Sequence, residues 1–93
     1  MNTDKIIHTA LHGFGVDKQR IKCIEELSEL QKELCKDAIG SGGVFHIAEE
    51  IADVEIMLAQ MKVYYNCAST VELFKDRKLE QLARRLNLVT NEL

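Results

Sequence analysis

Two short segments of the chain combine paired acids with apolar residues in the same order. Residues 25–30 have the sequence EELSEL and residues 49–54 have the sequence EEIADV, so both follow the pattern acid, acid, apolar, small, acid, apolar. Two acids three positions apart on a helix have Cβ atoms about 5–6 Å from each other, close enough to bind one cation together. The acids in question are Glu26, Glu29, Glu50 and Asp53.

Both acid pairs border apolar helix faces, where charge is costly. At about 100° per residue, Glu50 and Asp53 share a helix sector with Met57 and Met61. Four carboxylates gathered there would either take up protons or enclose a cation. Carboxylate oxygens are the hard ligands that suit Mg²⁺ or Mn²⁺, with water and substrate phosphates completing the coordination. The alternative is a solvated helix face, which is where a single E-x-x-E pair usually lies.

Helical periodicity predicts the elements that must position these acids. Proline is absent, and apolar residues recur every three or four positions over long windows, which predicts an all-α fold without strands. Short loops between the helices imply antiparallel, bundle-like packing, in which the two acid pairs would face each other. The four predicted helices run from Thr3 to about His12, from Asp17 to near Gly40, from about Val44 to Tyr65, and from Ser69 through Leu86.

Several residues are predicted to begin, end or anchor these helices. Thr3 and Asp17 are candidate N-caps, and Ser69 with Glu72 has the spacing of a capping box. Asn66 is a candidate for the left-handed position after the third helix. The second helix carries an apolar stripe that is predicted to face the core, made of Ile21, Ile24, Leu27, Leu30 and Leu34.

Length and composition favour a single domain spanning residues 1–93, with 46% hydrophobic and 29% charged residues. Long helices in so short a chain leave part of their apolar surface uncovered, so we expect a homo-oligomer, either a dimer or a tetramer. The net charge is −3, and the chain has no dense basic block, so duplex nucleic acid is not an expected partner.

The expected location is cytoplasmic. The three cysteines are spaced like neither a zinc site nor a disulfide framework, and we interpret them as reduced thiols. No uncharged apolar run of about 18 residues occurs, so no membrane partner is expected.

The two acid motifs resemble those of a known enzyme family. E-E-x-x-E at residues 25–29, followed after twenty residues by E-x-x-D at residues 50–53, is similar to the motif pair of the all-α nucleoside triphosphate pyrophosphohydrolases. These MazG-like enzymes include dimeric dUTPases and dCTP pyrophosphatases among their relatives. The resemblance covers about residues 5–86. It implies Mg²⁺ ligation by the four acids Glu26, Glu29, Glu50 and Asp53, with Glu25 as the leading acid of the first motif.

A basic residue on the fourth helix extends the resemblance. The family carries a lysine there that contacts the substrate phosphates, and Lys78 corresponds to its start. Lys78 stands between Phe74 and Leu82 on an apolar stripe, where a phosphate or a site acid would be a suitable partner for its ammonium group. The alternative is a side chain that extends past apolar neighbours into solvent.

The resemblance implies hydrolysis of a ribo- or deoxyribonucleoside triphosphate to a monophosphate and pyrophosphate. The reaction would need Mg²⁺ or Mn²⁺ and would serve control of the nucleotide pool. The competing hypothesis is a non-enzymatic helical module that binds a protein partner or regulates it, with acids that only keep its surface soluble.

Overall fold

The computed structural model describes residues 1–88, which form four α-helices and no β-strand. The helices are α1 (Thr3–Phe14), α2 (Val16–Ala38), α3 (Val44–Tyr64) and α4 (Ala68–Arg85). The all-α prediction is therefore confirmed.

The helix starts differ from the predicted caps. Asn2 caps α1 through a side-chain oxygen that accepts a hydrogen bond from the Lys5 amide at 3.0 Å, so Thr3 is already helical. Gly15 alone links α1 to α2, and its φ of +91° is a conformation that glycine adopts at little cost. Asp17 consequently lies within the first turn of α2, where its negative charge interacts favourably with the helix dipole. At α4, Cys67 precedes the helix and makes no side-chain cap, so the Ser69 capping box is wrong.

The end of α3 follows the sequence prediction. Asn66 has a φ of +50°, in the left-handed region. The Asn66 amide donates to the Val63 carbonyl, and the Cys67 amide donates to the Lys62 carbonyl, each at 3.1 Å. These bonds satisfy carbonyls that the helix end would leave without partners.

Helices α2 and α3 pack against each other in antiparallel orientation. The Gln19 side chain donates to the Gln60 side chain at 2.8 Å, while Glu26, farther along α2, meets residues nearer the start of α3. Helix α1 packs on both of them. The small apolar core contains Ile7, Leu11, Cys23, Val54 and Met57.

The apolar stripe predicted for α2 faces outward, which corrects the sequence expectation. Ile21, Ile24 and Leu34 are at least half exposed, whereas Gln19, Cys23 and Glu26 are buried. Helix α2 thus packs on α3 through its more polar side. Hydrophobic periodicity identifies an apolar stripe, but it does not identify which surface covers that stripe.

Helix α4 stands outside the packed helices. It has no buried residue and packs on none of the other three helices to a comparable extent. An open cleft of about 500 Å³ separates it from α3, lined by Leu58, Lys62 and Glu55 on one side and by Val71 and Lys75 on the other. Within one chain, therefore, three helices pack together and the predicted four-helix bundle is not closed.

The open arrangement is visible in the dimensions of the chain. Its radius of gyration is 16.8 Å, against about 12 Å for a compact domain of this length. It exposes 7520 Å² of surface, about 2,000 Å² more than expected for a compact monomer of 10.6 kDa. This excess is comparable in size to a large protein–protein interface.

Candidate metal centre

Three of the four predicted acids converge between α2 and α3. One carboxylate oxygen from each of Glu26, Glu50 and Asp53 lies within 4.8 Å of the others. Glu50 and Asp53 share a face of α3 because they are three residues apart, and the antiparallel packing of α2 brings Glu26 opposite to them. We call these three residues the acid cluster.

The acid cluster is partly withdrawn from water. Glu26 is buried, with 9% of its surface exposed, and Glu50 and Asp53 are half-buried. The Oε2 atom of Glu50 is buried and accepts no hydrogen bond. A buried carboxylate oxygen without a donor is unusual and costly, so the arrangement fits an additional positive ligand at this point.

Burial and mutual repulsion raise the pKa of two cluster carboxyls. The pKa of Glu50 is raised first by burial and then by the negative charges of Glu26, Asp53 and Glu29. The pKa of Asp53 is raised first by burial and then by its contact with Glu26, with Lys22 acting in the opposite direction. Both shifts mean that negative charge on these two carboxyls is disfavoured, a cost that a bound cation would reduce.

Glu29 lies at the edge of the acid cluster. It is half-buried, and its charge is close enough to raise the pKa of Glu50. Its oxygens are nevertheless not among the three that lie within 4.8 Å of one another. The structure thus brings three of the predicted ligands together and places the fourth beside them.

Lys78 is not brought to the cluster within one chain. It is exposed on α4, which does not pack on α2 or α3 to any significant extent. Arg84, six residues farther along α4, is paired with Glu80 at 2.9 Å.

Lys22 is a site residue that the sequence reasoning missed. Its Nζ lies 3.2 Å from Glu26 Oε1 and 3.6 Å from Glu25 Oε1. It lines a cleft of about 220 Å³ together with Glu26, Asp53, Ile56 and Met57. The contact with Glu26 is the main cause of a raised Lys22 pKa. The signal available in the sequence was spacing, since Lys22 stands four residues before Glu26 and therefore on the same side of α2.

The donor set has the chemistry of a hard divalent-cation site. Three carboxylates supply oxygen ligands, one of their buried oxygens has no donor, and the cleft beside them is open to solvent. Mg²⁺ in proteins is typically held by one or two carboxylates together with water and phosphate oxygens. The residues present therefore fit Mg²⁺ or Mn²⁺.

No protein-family model, curated protein or solved structure matches this chain. The resemblance to the MazG-like enzymes accordingly rests on the two acid motifs. Among residues 1–88, no helix is both long enough and apolar enough to span a bilayer.

Proposed function

We propose that the protein is a MazG-like nucleoside triphosphate pyrophosphohydrolase that depends on Mg²⁺ or Mn²⁺ and acts in control of the nucleotide pool. The observation that carries this proposal is the convergence of Glu26, Glu50 and Asp53 from two antiparallel helices. The same acids are the ones that the E-E-x-x-E and E-x-x-D motifs single out in the sequence.

The three residues of the acid cluster are placed to hold a divalent cation. When bound, the divalent cation would neutralise charge on the phosphates and favour in-line attack of water at the α-phosphorus. Glu26 and Asp53 are placed to hold it, since both line the open cleft. Glu50 is placed to hold it as well, because one of its oxygens lies within 4.8 Å of theirs and its buried Oε2 accepts no hydrogen bond.

The products distinguish this reaction from other phosphatase activities. We expect a screen of ribo- and deoxyribonucleoside triphosphates with Mg²⁺ to yield pyrophosphate and a monophosphate from at least one of them. Anion-exchange chromatography of the nucleotide products, coupled with a pyrophosphate assay, measures both. Orthophosphate with a nucleoside diphosphate would contradict the proposal, and activity that persists in excess EDTA would contradict the role of the cation.

We further propose that the protein acts as a dimer or tetramer. The outward-facing stripe of α2 and the whole of α4 are unpartnered in one chain, whereas most helical stability in proteins comes from tertiary packing of an amphipathic face. Burying about 2,000 Å² per chain would give an interface in the range of obligate homodimers. Such packing would place the acid cluster near or across a subunit interface.

Light scattering after gel filtration tests this assembly. At tens of micromolar we expect a mass at least twice the 10.6 kDa of the chain. Phe74→Ser, which removes an exposed aromatic ring of α4, should weaken association at least about 10-fold, since a buried Phe contributes roughly 1.5–3 kcal/mol. Arg77→Ser on the same helix is the control and should leave the mass unchanged. A monomeric wild-type protein at this concentration would contradict the proposal.

The outward-facing apolar surfaces also support the second candidate, a helical interaction module. Such a module would bury the α2 stripe and α4 against a different protein and would use the acids only for solubility. The two functions differ in their response to divalent cations, because the module needs none.

A further inference from the structure

Lys22 brings a positive charge to the wall of the cleft beside the acid cluster. Its ammonium group contacts Glu26 Oε1 at 3.2 Å, and Glu26 is one of the three acids whose oxygens converge. Among the residues that line this cleft, Lys22 is the basic one. In the metal-free protein, therefore, a cation of the chain itself offsets part of the negative charge of the cluster.

We propose that Lys22 is the resident cation of the acid cluster in the metal-free protein, and that it binds the phosphates of the substrate once a divalent cation has taken its place. This inference rests on the proposed function, because it assumes a metal site and a nucleoside triphosphate. It assigns the phosphate contact to a residue of α2 rather than to Lys78 on α4.

The replacement of the Lys22 ammonium group by a divalent cation follows from geometry and charge. A divalent cation among Glu26, Glu50 and Asp53 would need a Glu26 oxygen and would repel an ammonium group a few ångströms away. The Lys22 side chain is half exposed and has a flexible stem, so it can turn into the cleft without disturbing the core. There it would lie next to the bound triphosphate, and lysine is a common ligand of phosphate.

The same chain offers a matched control for this lysine. Lys36 lies on α2, is similarly exposed, and pairs with Glu33 at 3.4 Å, so it repeats the local ion pair of Lys22. It lies about 21 Å farther along the helix and does not line the cleft. Lys36→Met thus measures what the loss of an ion pair on α2 does by itself.

The test compares Lys22→Met, Lys22→Arg, Lys36→Met and the wild-type protein. Binding of Mn²⁺ alone is measured by electron paramagnetic resonance, and kcat and KM are measured for a nucleoside triphosphate that the wild-type protein hydrolyses. We expect Lys22→Met to bind Mn²⁺ about 3- to 10-fold more tightly, because a competing positive charge is gone. We expect the KM of the same variant to rise at least about 10-fold, because a charge-assisted phosphate contact is lost. Lys22→Arg should stay close to wild type in both measurements, and Lys36→Met should change neither.

The opposite directions of the two effects separate this role from a structural one. If Lys22 only supported the fold, Lys22→Met would weaken both metal and nucleotide binding, and that result would overturn the inference. Unchanged Mn²⁺ affinity or unchanged KM in a variant that melts like the wild type would overturn it as well. Failure of the wild-type protein itself to bind Mn²⁺ would instead overturn the proposed function.

Discussion

Replacement of Glu50 by glutamine is expected to lower turnover of the nucleoside triphosphate by at least about 100-fold, the usual size of effect when an electrostatic or proton-accepting group is lost from an active site. Glutamine keeps the size of the side chain but removes the charge and the acceptor oxygen that lacks a donor. Steady-state kinetics at saturating Mg²⁺ measures the effect. Asp53→Asn and Glu26→Gln should fall in the same range.

Two further variants make this prediction specific. Glu49→Gln is the matched control, because Glu49 adjoins Glu50 but is exposed and its oxygens are not among those that converge. Its turnover should stay within a few-fold of wild type. Glu29→Gln should lose less than Glu50→Gln, since Glu29 lies beside the converging oxygens rather than among them. A Glu50→Gln variant as active as wild type would remove the acid cluster from the mechanism.

The sequence was sufficient to predict the helices and all three residues of the acid cluster. Apolar residues every three or four positions specify helices wherever they pack, and acids three apart share a face of any regular helix. The convergence of Glu26 with Glu50 and Asp53 then required one more condition, the antiparallel pairing of α2 and α3, which short loops favour. These properties depend mainly on residues that are close together in the sequence, so they can be predicted from it.

Properties that depend on what covers a surface could not be predicted in the same way. The apolar stripe of α2 was assigned to the core of the chain, yet Ile21 and Ile24 face outward because Gln19 and Glu26 pack toward α3. An apolar stripe that packs against another chain has the same periodicity as one that packs in the core of its own chain. For the same reason, the sequence did not predict that Lys78 lies away from the acid cluster on the unpacked α4. Only tertiary contacts decide where a helix after a short loop lies.

Helix starts and the role of Lys22 were missed for a more local reason. Asn2, Thr3 and Asp4 are all good cap residues, and the choice among them depends on a single hydrogen bond, from the Lys5 amide to Asn2. Lys22 has acids three and four residues after it, which by itself is the pattern of an ordinary surface ion pair. The burial of Glu26 opposite two more carboxylates distinguishes it, and that burial requires the packed structure.

Saturating Mg²⁺ is expected to raise the melting temperature by roughly 10–20 °C at pH 7.5, with a smaller rise toward pH 5. Raised pKa values of Glu50 and Asp53 mean that the native state binds their protons more tightly than the unfolded chain does. Their contribution to stability is therefore present below the unfolded pKa of roughly 4 and is lost as pH rises through the folded pKa values. The metal-free protein at neutral pH thus carries a repulsion that Mg²⁺ relieves, and protons compete with the cation as the pH falls.

The size of the rise follows from linkage. A ligand specific for the native state, at about 100 times its dissociation constant, contributes about 2.7 kcal/mol, and each kcal/mol shifts the melting point of a domain this small by roughly 4–8 °C. Calorimetry at one protein concentration keeps the contribution of association constant. Glu50→Gln should melt higher than wild type without metal, because one repelling charge is gone, and should respond less to Mg²⁺. If Mg²⁺ changed the melting temperature of neither protein, the acids would hold no cation. The interaction-module hypothesis would then account better for the outward-facing apolar stripes.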